Sequence, residues 1–122
     1  MNACSPTGRR VLVVEDEPLI SMLLETMLED AGCNVVATAS SLKAGLAALE
    51  GKELDLAILD MSLGQDSSFP IADALQQRGI PFMFASGHDA AALPDKHAGR
   101  QVLVKPFAQA DLELKLAAIG LG

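Results

Sequence analysis

The chain has no tryptophan and no tyrosine, and only four phenylalanines among its 122 residues. Half of it is nevertheless apolar. The expected core is therefore aliphatic, and the length suits one domain rather than two. Long apolar runs are missing too: none approaches the roughly 18 to 20 residues that a membrane span needs. The opening MNACSPTGRR has no apolar h-region, so no secretory signal is expected, and Cys4 lies too near the start for a lipoprotein signal. The two cysteines, Cys4 and Cys33, have no metal-ligand spacing, and they read as free thiols of a cytoplasmic protein. Basic residues are scarce, 9 against 16 acids, for a net charge of -7. That balance argues against a nucleic-acid surface and suits a cationic ligand or partner.

What is present alternates. Residues 1–8 read as a loose tail and 9–122 as the folded domain, with Arg9 and Arg10 solvated at the start of the first strand. Val11 to Val14 is a short continuous apolar run, as in a strand buried on both faces. Pro18 suits the first position of a helix in which Leu19, Ile20, Leu23, Leu24, Met27 and Leu28 recur at helical spacing, and Gly32 ends it. Val35 to Thr38 reads as a second strand. Ser40 or Ser41 can cap a helix running to Gly51. Leu54 to Leu59 reads as a third strand, MSLGQDSSF as a loop, and a helix starts near Pro70 and stops at Gly79. Pro81 to Ala85 and Val102 to Val104 read as the fourth and fifth strands, and a last helix covers about 109 to 119. A short helix over Ala90 to Leu93 is limited by Pro94 and Gly99.

Strands and helices thus alternate five times. Parallel strands need crossovers, and right-handed crossovers place helices on both faces of the sheet. The expected fold is α/β: a flavodoxin-like, doubly wound, five-stranded parallel sheet of order 2-1-3-4-5 with a short or irregular fourth helix. In such a sheet all C-terminal strand ends share one edge. Strand 1 ends in Glu15-Asp16, strand 3 in Asp60, strand 4 in Ser86 and strand 5 in Lys105. Each alone is unremarkable, since an acid at a strand end is usually a solvated loop residue. Four such ends on one edge point to a site. Grouped carboxylates repel, and a divalent cation relieves that repulsion; oxygen-only ligands favour Mg²⁺ over zinc. A carboxylate can be a nucleophile in phosphoryl transfer, with metal and lysine offsetting charge on the phosphoryl oxygens.

These residues resemble the receiver domain of bacterial two-component response regulators, from about Val11 to Ile119. VLVVEDEP is similar to the family's first strand and acidic pair, DLAILDMSLG to its phosphoacceptor strand, SGHD to its Ser/Thr-bearing strand end and VLVKPF to its lysine-proline turn. The resemblance implies that Asp60 is the phosphoacceptor. It also implies that Asp16, Asp60 and the Ser62 carbonyl hold Mg²⁺, with Glu15 doing so directly or through water, that Ser86 and Lys105 contact the phosphoryl group, and that the Lys105-Pro106 bond is cis. It implies a histidine kinase or histidine phosphotransfer protein as donor. The stretch PFMFASG resembles a stand-alone subgroup with a Pro-Phe-x-Phe-Ala-Thr-Gly signature, Ser86 replacing the threonine.

Three departures stand out. The acidic pair is Glu-Asp where Asp-Asp is commoner. Val102 stands where many receivers carry Tyr or Phe. Only 18 residues separate Ser86 from Lys105. The expected function is a stand-alone response regulator, a phosphoacceptor rather than an enzyme acting on a separate substrate. Because the chain ends with its last helix, output is expected through protein contact or phosphate relay. The alternative is a phosphorylation-independent binding module, which the intact Asp16, Asp60, Ser86 and Lys105 disfavour. An aspartate-nucleophile phosphatase wants Asp-x-Asp on strand 1, and a nucleotide-binding fold wants a Gly-rich loop there; EDEP supplies neither. His88 reads as a loop residue, His97 as exposed, and Phe69, Phe82, Phe84 and Phe107 as packing.

Overall fold

The computed structural model describes residues 8–51, 53–87, 97 and 99–119. The expectations for residues 1–7 of the tail, for His88 and for a helix over Ala90 to Leu93 fall outside the described residues. The elements in chain order are β1 (Arg10–Val14), α1 (Pro18–Asp30), β2 (Asn34–Ala39), α2 (Leu42–Gly51), β3 (Leu56–Asp60), β4 (Ser62–Leu63), β5 (Asp66–Ser67), α3 (Phe69–Gln77), β6 (Phe82–Ser86), β7 (Val102–Val104) and α4 (Gln109–Ala118). Five strands form one sheet in the order β2-β1-β3-β6-β7, and every pairing in it is parallel. With strands renumbered, this is the expected 2-1-3-4-5.

Side chains alternate across a strand, so each central strand feeds two cores. Leu12, Val14, Leu59, Phe82 and Phe84 point to one face, under α2 and α3, with Ile71 and Leu75. Val11, Val13, Ile58, Met83 and Leu103 point to the other, under α1 and α4, with Leu24, Leu28, Leu112 and Leu116. This explains why the sequence shows continuous apolar runs rather than alternation: both faces are covered. Gly45 lets α2 approach closely, since a Cβ there would clash with the Ile71 Cδ1.

The helix ends follow the local chemistry. Pro18 occupies the first turn of α1, and Glu17, the N-cap, makes no side-chain capping bond. At the other end Gly32 has φ +96°, and the Cys33 and Gly32 N–H groups donate to the Leu28 and Glu29 carbonyls, closing a Schellman turn. Ser41 caps α2, its Oγ accepting from the Ala44 N–H at 3.1 Å.

Ion pairs gather at the end of the sheet where the strands begin. Arg10 donates to Asp55 Oδ2 at 3.0 Å and to Glu53 Oε2 at 2.7 Å. Those hydrogen bonds hold the Asp55 carboxyl below the usual carboxylate range. Arg78 likewise donates to the Leu49 carbonyl and to Glu50, fastening the end of α3 to the end of α2. Arg10 is therefore part of β1 and tied at its start, rather than simply solvated.

The expectation for His97 is overturned. His97 is not exposed: it is buried, at 1 %. Its ring stacks on Phe69 and meets Phe82 and Phe84 edge-on, with centroids 5.8–6.0 Å away, and Nε2 lies 2.9 Å from Asp73 Oδ1 on α3. An imidazole presents an apolar body and a polar tip, and here the body fills an aromatic cage while the tip reaches a carboxylate. The loop MSLGQDSSF also holds the small antiparallel hairpin β4–β5, with Ser62 opposite Ser67 and Leu63 opposite Asp66.

Candidate acidic site

Parallel pairing brings the strand ends together. Val14 pairs with Leu59, placing Glu15 and Asp16 beside Asp60, the last residue of β3. Asp60 in turn lies opposite Ala85, next to Ser86, and Ser86 lies opposite Val104, next to Lys105. Glu15, Asp16 and Asp60 each offer a carboxylate oxygen, all within 4.8 Å of one another. Glu15 and Asp60 are buried and Asp16 is the most open of the three.

Lys105 is the counterion. Its Nζ donates to Glu15 Oε1 at 2.8 Å and to Asp60 Oδ2 at 3.1 Å. The Lys105-Pro106 peptide is cis, as expected, and the Lys105 N–H donates to the Ser86 carbonyl at 2.8 Å. Burial lowers the ammonium pKa, but the bonds to Glu15 and Asp60 more than offset it, so the net shift is upward. Ser86 is buried at the end of β6. The structure thus brings together Glu15, Asp16, Asp60, Ser86 and Lys105, with Ser62 beginning the loop beside them. Val102 is buried in β7 opposite Phe84.

Three backbone donors were not legible in the sequence, among them the Glu17 N–H, which donates to Glu15 Oε2 at 3.2 Å. The Ser62 N–H donates to Asp60 Oδ1 at 3.2 Å and the Gly64 N–H to Asp16 Oδ2 at 3.0 Å. Every non-proline residue carries such a donor, so no residue type announces these.

One ammonium faces three carboxylates, and the imbalance falls on Glu15. Its pKa is pushed up to about 7, by desolvation first and by Asp60 second, and the Lys105 and Glu17 hydrogen bonds only partly counter the rise. A buried all-oxygen cluster short of positive charge fits Mg²⁺. The sign follows by linkage. The folded-state pKa lies above the unfolded value, so Glu15 costs nothing below about pH 4.5 and its stabilising proton is lost as pH rises through about 7. Metal-free protein is expected to lose roughly 2–3 kcal/mol from this group between pH 5 and 8. Urea unfolding in a chelator at the two pH values measures it, and Glu15→Gln should flatten the dependence. An equal slope in both proteins would contradict the burial argument.

A parallel sheet with three acids and a lysine at its carboxyl edge is the arrangement expected of the receiver domains of two-component signalling. The sequence model of the response regulator receiver domain matches residues 11–117, and the chain belongs to that family. It is similar to SdrG from Sphingomonas melonis Fr1, whose solution structure is 41 % identical, covers 92 % of this chain and 96 % of that one, and has a TM-score of 0.82. The BeF3-activated conformation of SdrG is 38 % identical over the whole of both chains, with a TM-score of 0.80. Among curated relatives, the phyllosphere-induced regulator PhyR of Methylorubrum extorquens is 32 % identical over 106 residues, 84 % of this chain and 40 % of that protein. The transcriptional regulatory protein TcrA of Mycobacterium tuberculosis is 30 % identical over 120 residues, 93 % of this chain and 46 % of that protein. The chain spans less than half the length of these two relatives. No helix among the described residues is long and apolar enough to cross a membrane.

Proposed function

We propose that the chain is a stand-alone, cytoplasmic response regulator receiver that takes a phosphoryl group on Asp60 from a histidine kinase or histidine phosphotransfer protein. The observation that carries this reading is the Lys105 ammonium bridging Glu15 and Asp60 beside a carboxylate cluster. An Asp60 oxygen attacks the phosphorus of a phosphohistidine. A P–O bond forms, the P–N bond breaks, and the departing imidazole nitrogen keeps the electron pair and picks up a proton. Glu15, Asp16, Asp60 and the Ser62 carbonyl would hold Mg²⁺, which when bound supplies positive charge for the phosphoryl oxygens. Once Asp60 carries the phosphoryl group as an acyl phosphate its charge partner changes, and Lys105 turns from a carboxylate oxygen to a phosphoryl oxygen. The Ser86 hydroxyl donates to another.

Output is read as protein contact or phosphate relay. The apolar side chains of Leu19, Met22 and Leu23 on α1 are exposed beside the acidic edge, as suits docking of a partner protein. The BeF3-activated conformation known for SdrG supports a phosphorylation-driven change in this chain. Membership of the Pro-Phe-x-Phe-Ala-Thr-Gly subgroup rests on PFMFASG, of which Phe82 to Ala85 lie fully buried in β6. The test is incubation with acetyl phosphate and Mg²⁺, read by intact mass. One phosphoryl adduct is expected, absent when the metal is chelated. No adduct from acetyl phosphate or from any histidine-phosphorylated donor would leave the binding-module reading in its place.

A further inference from the structure

The β4–β5 hairpin is two residues per strand, yet it is closed at several points. Ser62 pairs with Ser67 and Leu63 with Asp66, the Ser68 N–H donates to the Met61 carbonyl at 3.0 Å, and the Leu63 side chain is buried. From this frame the Ser62 and Gly64 N–H groups donate to Asp60 and Asp16. Gly64 has φ +65°, and a Cβ built on it would meet no atom within 4 Å. Space therefore does not require glycine there; backbone conformation does, because β-branched and bulky residues rarely adopt positive φ.

We infer that Gly64 is a positioning residue for the metal site, its left-handed backbone aiming an N–H at Asp16 so that this carboxylate stays within reach of Glu15 and Asp60. The inference rests on the reading of these acids as a Mg²⁺ site. Asp16 is the one that needs such a hold. Glu15 and Asp60 are buried and both bonded to Lys105, whereas Asp16 is the most open acid of the cluster. An outer hydrogen bond of this kind fixes a ligand's rotamer before the metal arrives, and losing one commonly weakens metal affinity by 10–100-fold.

The experiment is calorimetric Mg²⁺ titration of the full chain, with unfolding of the metal-free protein measured alongside. Gly64→Val forces a β-branched residue onto positive φ and shifts the hairpin tip. It is expected to raise the Mg²⁺ dissociation constant roughly tenfold. Gly64→Asn, which tolerates the left-handed region, should stay within about twofold of the parent. Gly64→Ala, less strained than valine, should fall between them and serves if the valine variant does not fold. Unchanged affinity in the strained variants overturns the inference. So does equal weakening in the asparagine variant, which would implicate bulk at the tip instead of backbone conformation. A parent protein that binds no Mg²⁺ overturns the metal-site reading itself and this inference with it, and that failure shows before any substitution is made.

Discussion

Asp60→Asn is expected to abolish the phosphoryl adduct completely and to make the metal-free protein more stable. The first effect follows from chemistry, because an amide has no carboxylate oxygen with which to attack phosphorus. The second follows from the crowding of charge. Glu15 and Asp60 share one ammonium, and Asp60 is among the causes that push the Glu15 pKa to about 7. Neutralising Asp60 leaves Lys105 and Glu15 as a one-to-one pair, so Glu15 ionises more easily. A gain of about 1–2 kcal/mol at pH 8 is expected from relieving one like-charge interaction. Intact mass after acetyl phosphate and urea unfolding in a chelator are the two readouts. An adduct that survives in the variant would sink the assignment of Asp60. A loss of stability would sink the charge argument while leaving the assignment standing. Function and stability oppose each other at this position, as they commonly do where a site holds unsatisfied charge.

Lys105→Met is expected to shift stability the other way. It strips the hydrogen bonds from Glu15 and Asp60 and leaves two buried carboxylates facing each other. Removing one partner of a fully buried pair costs 3–5 kcal/mol. Lys105 keeps 19 % of its side chain exposed and Glu15 can escape by binding a proton. The expected loss is therefore smaller, about 2 kcal/mol at pH 8 in the absence of metal, shrinking towards pH 5. Added Mg²⁺ should restore more stability to this variant than to the parent, because the cation enters a cluster that has lost its ammonium. Equal stability of variant and parent at pH 8 would show that Lys105 does not neutralise the cluster. A weaker Mg²⁺ response in the variant would show that Lys105 does not compete with the cation for the cluster.

The strands and the acids and lysine at their ends, Glu15, Asp16, Asp60, Ser86 and Lys105, were legible because they rest on strong local signals; the order of the sheet came from the fold class, not from periodicity. Apolar runs such as Val11 to Val14 mark strands covered on both faces, and parallel topology then carries their end residues to one edge. Gly32 and Gly79, with φ +96° and +71°, were readable as helix ends for the same reason. What escaped depends on groups distant in sequence or on backbone atoms. Strands of two residues, Ser62–Leu63 and Asp66–Ser67, are too short to show a period. His97 sits in the sequence among Ala, Lys and Gly and reads as exposed. Its burial comes from Phe69, Phe82, Phe84 and Asp73, which lie on other elements. The start of β1 at Arg10 is likewise set by Asp55, far along the chain.

The ion pairs at the base of the sheet separate two tasks along the strand axis. Arg10, Glu53 and Asp55 lie where the strands begin, and Asp60 where β3 ends. Five residues of extended chain set Asp55 and Asp60 about 16 Å apart. At that distance, and with no shared partner, changes in free energy sum almost independently. The base can therefore drift or be re-engineered, strengthening or loosening the fold, while the acids at the opposite rim keep the unfavourable charge that a cation and a phosphoryl group would relieve.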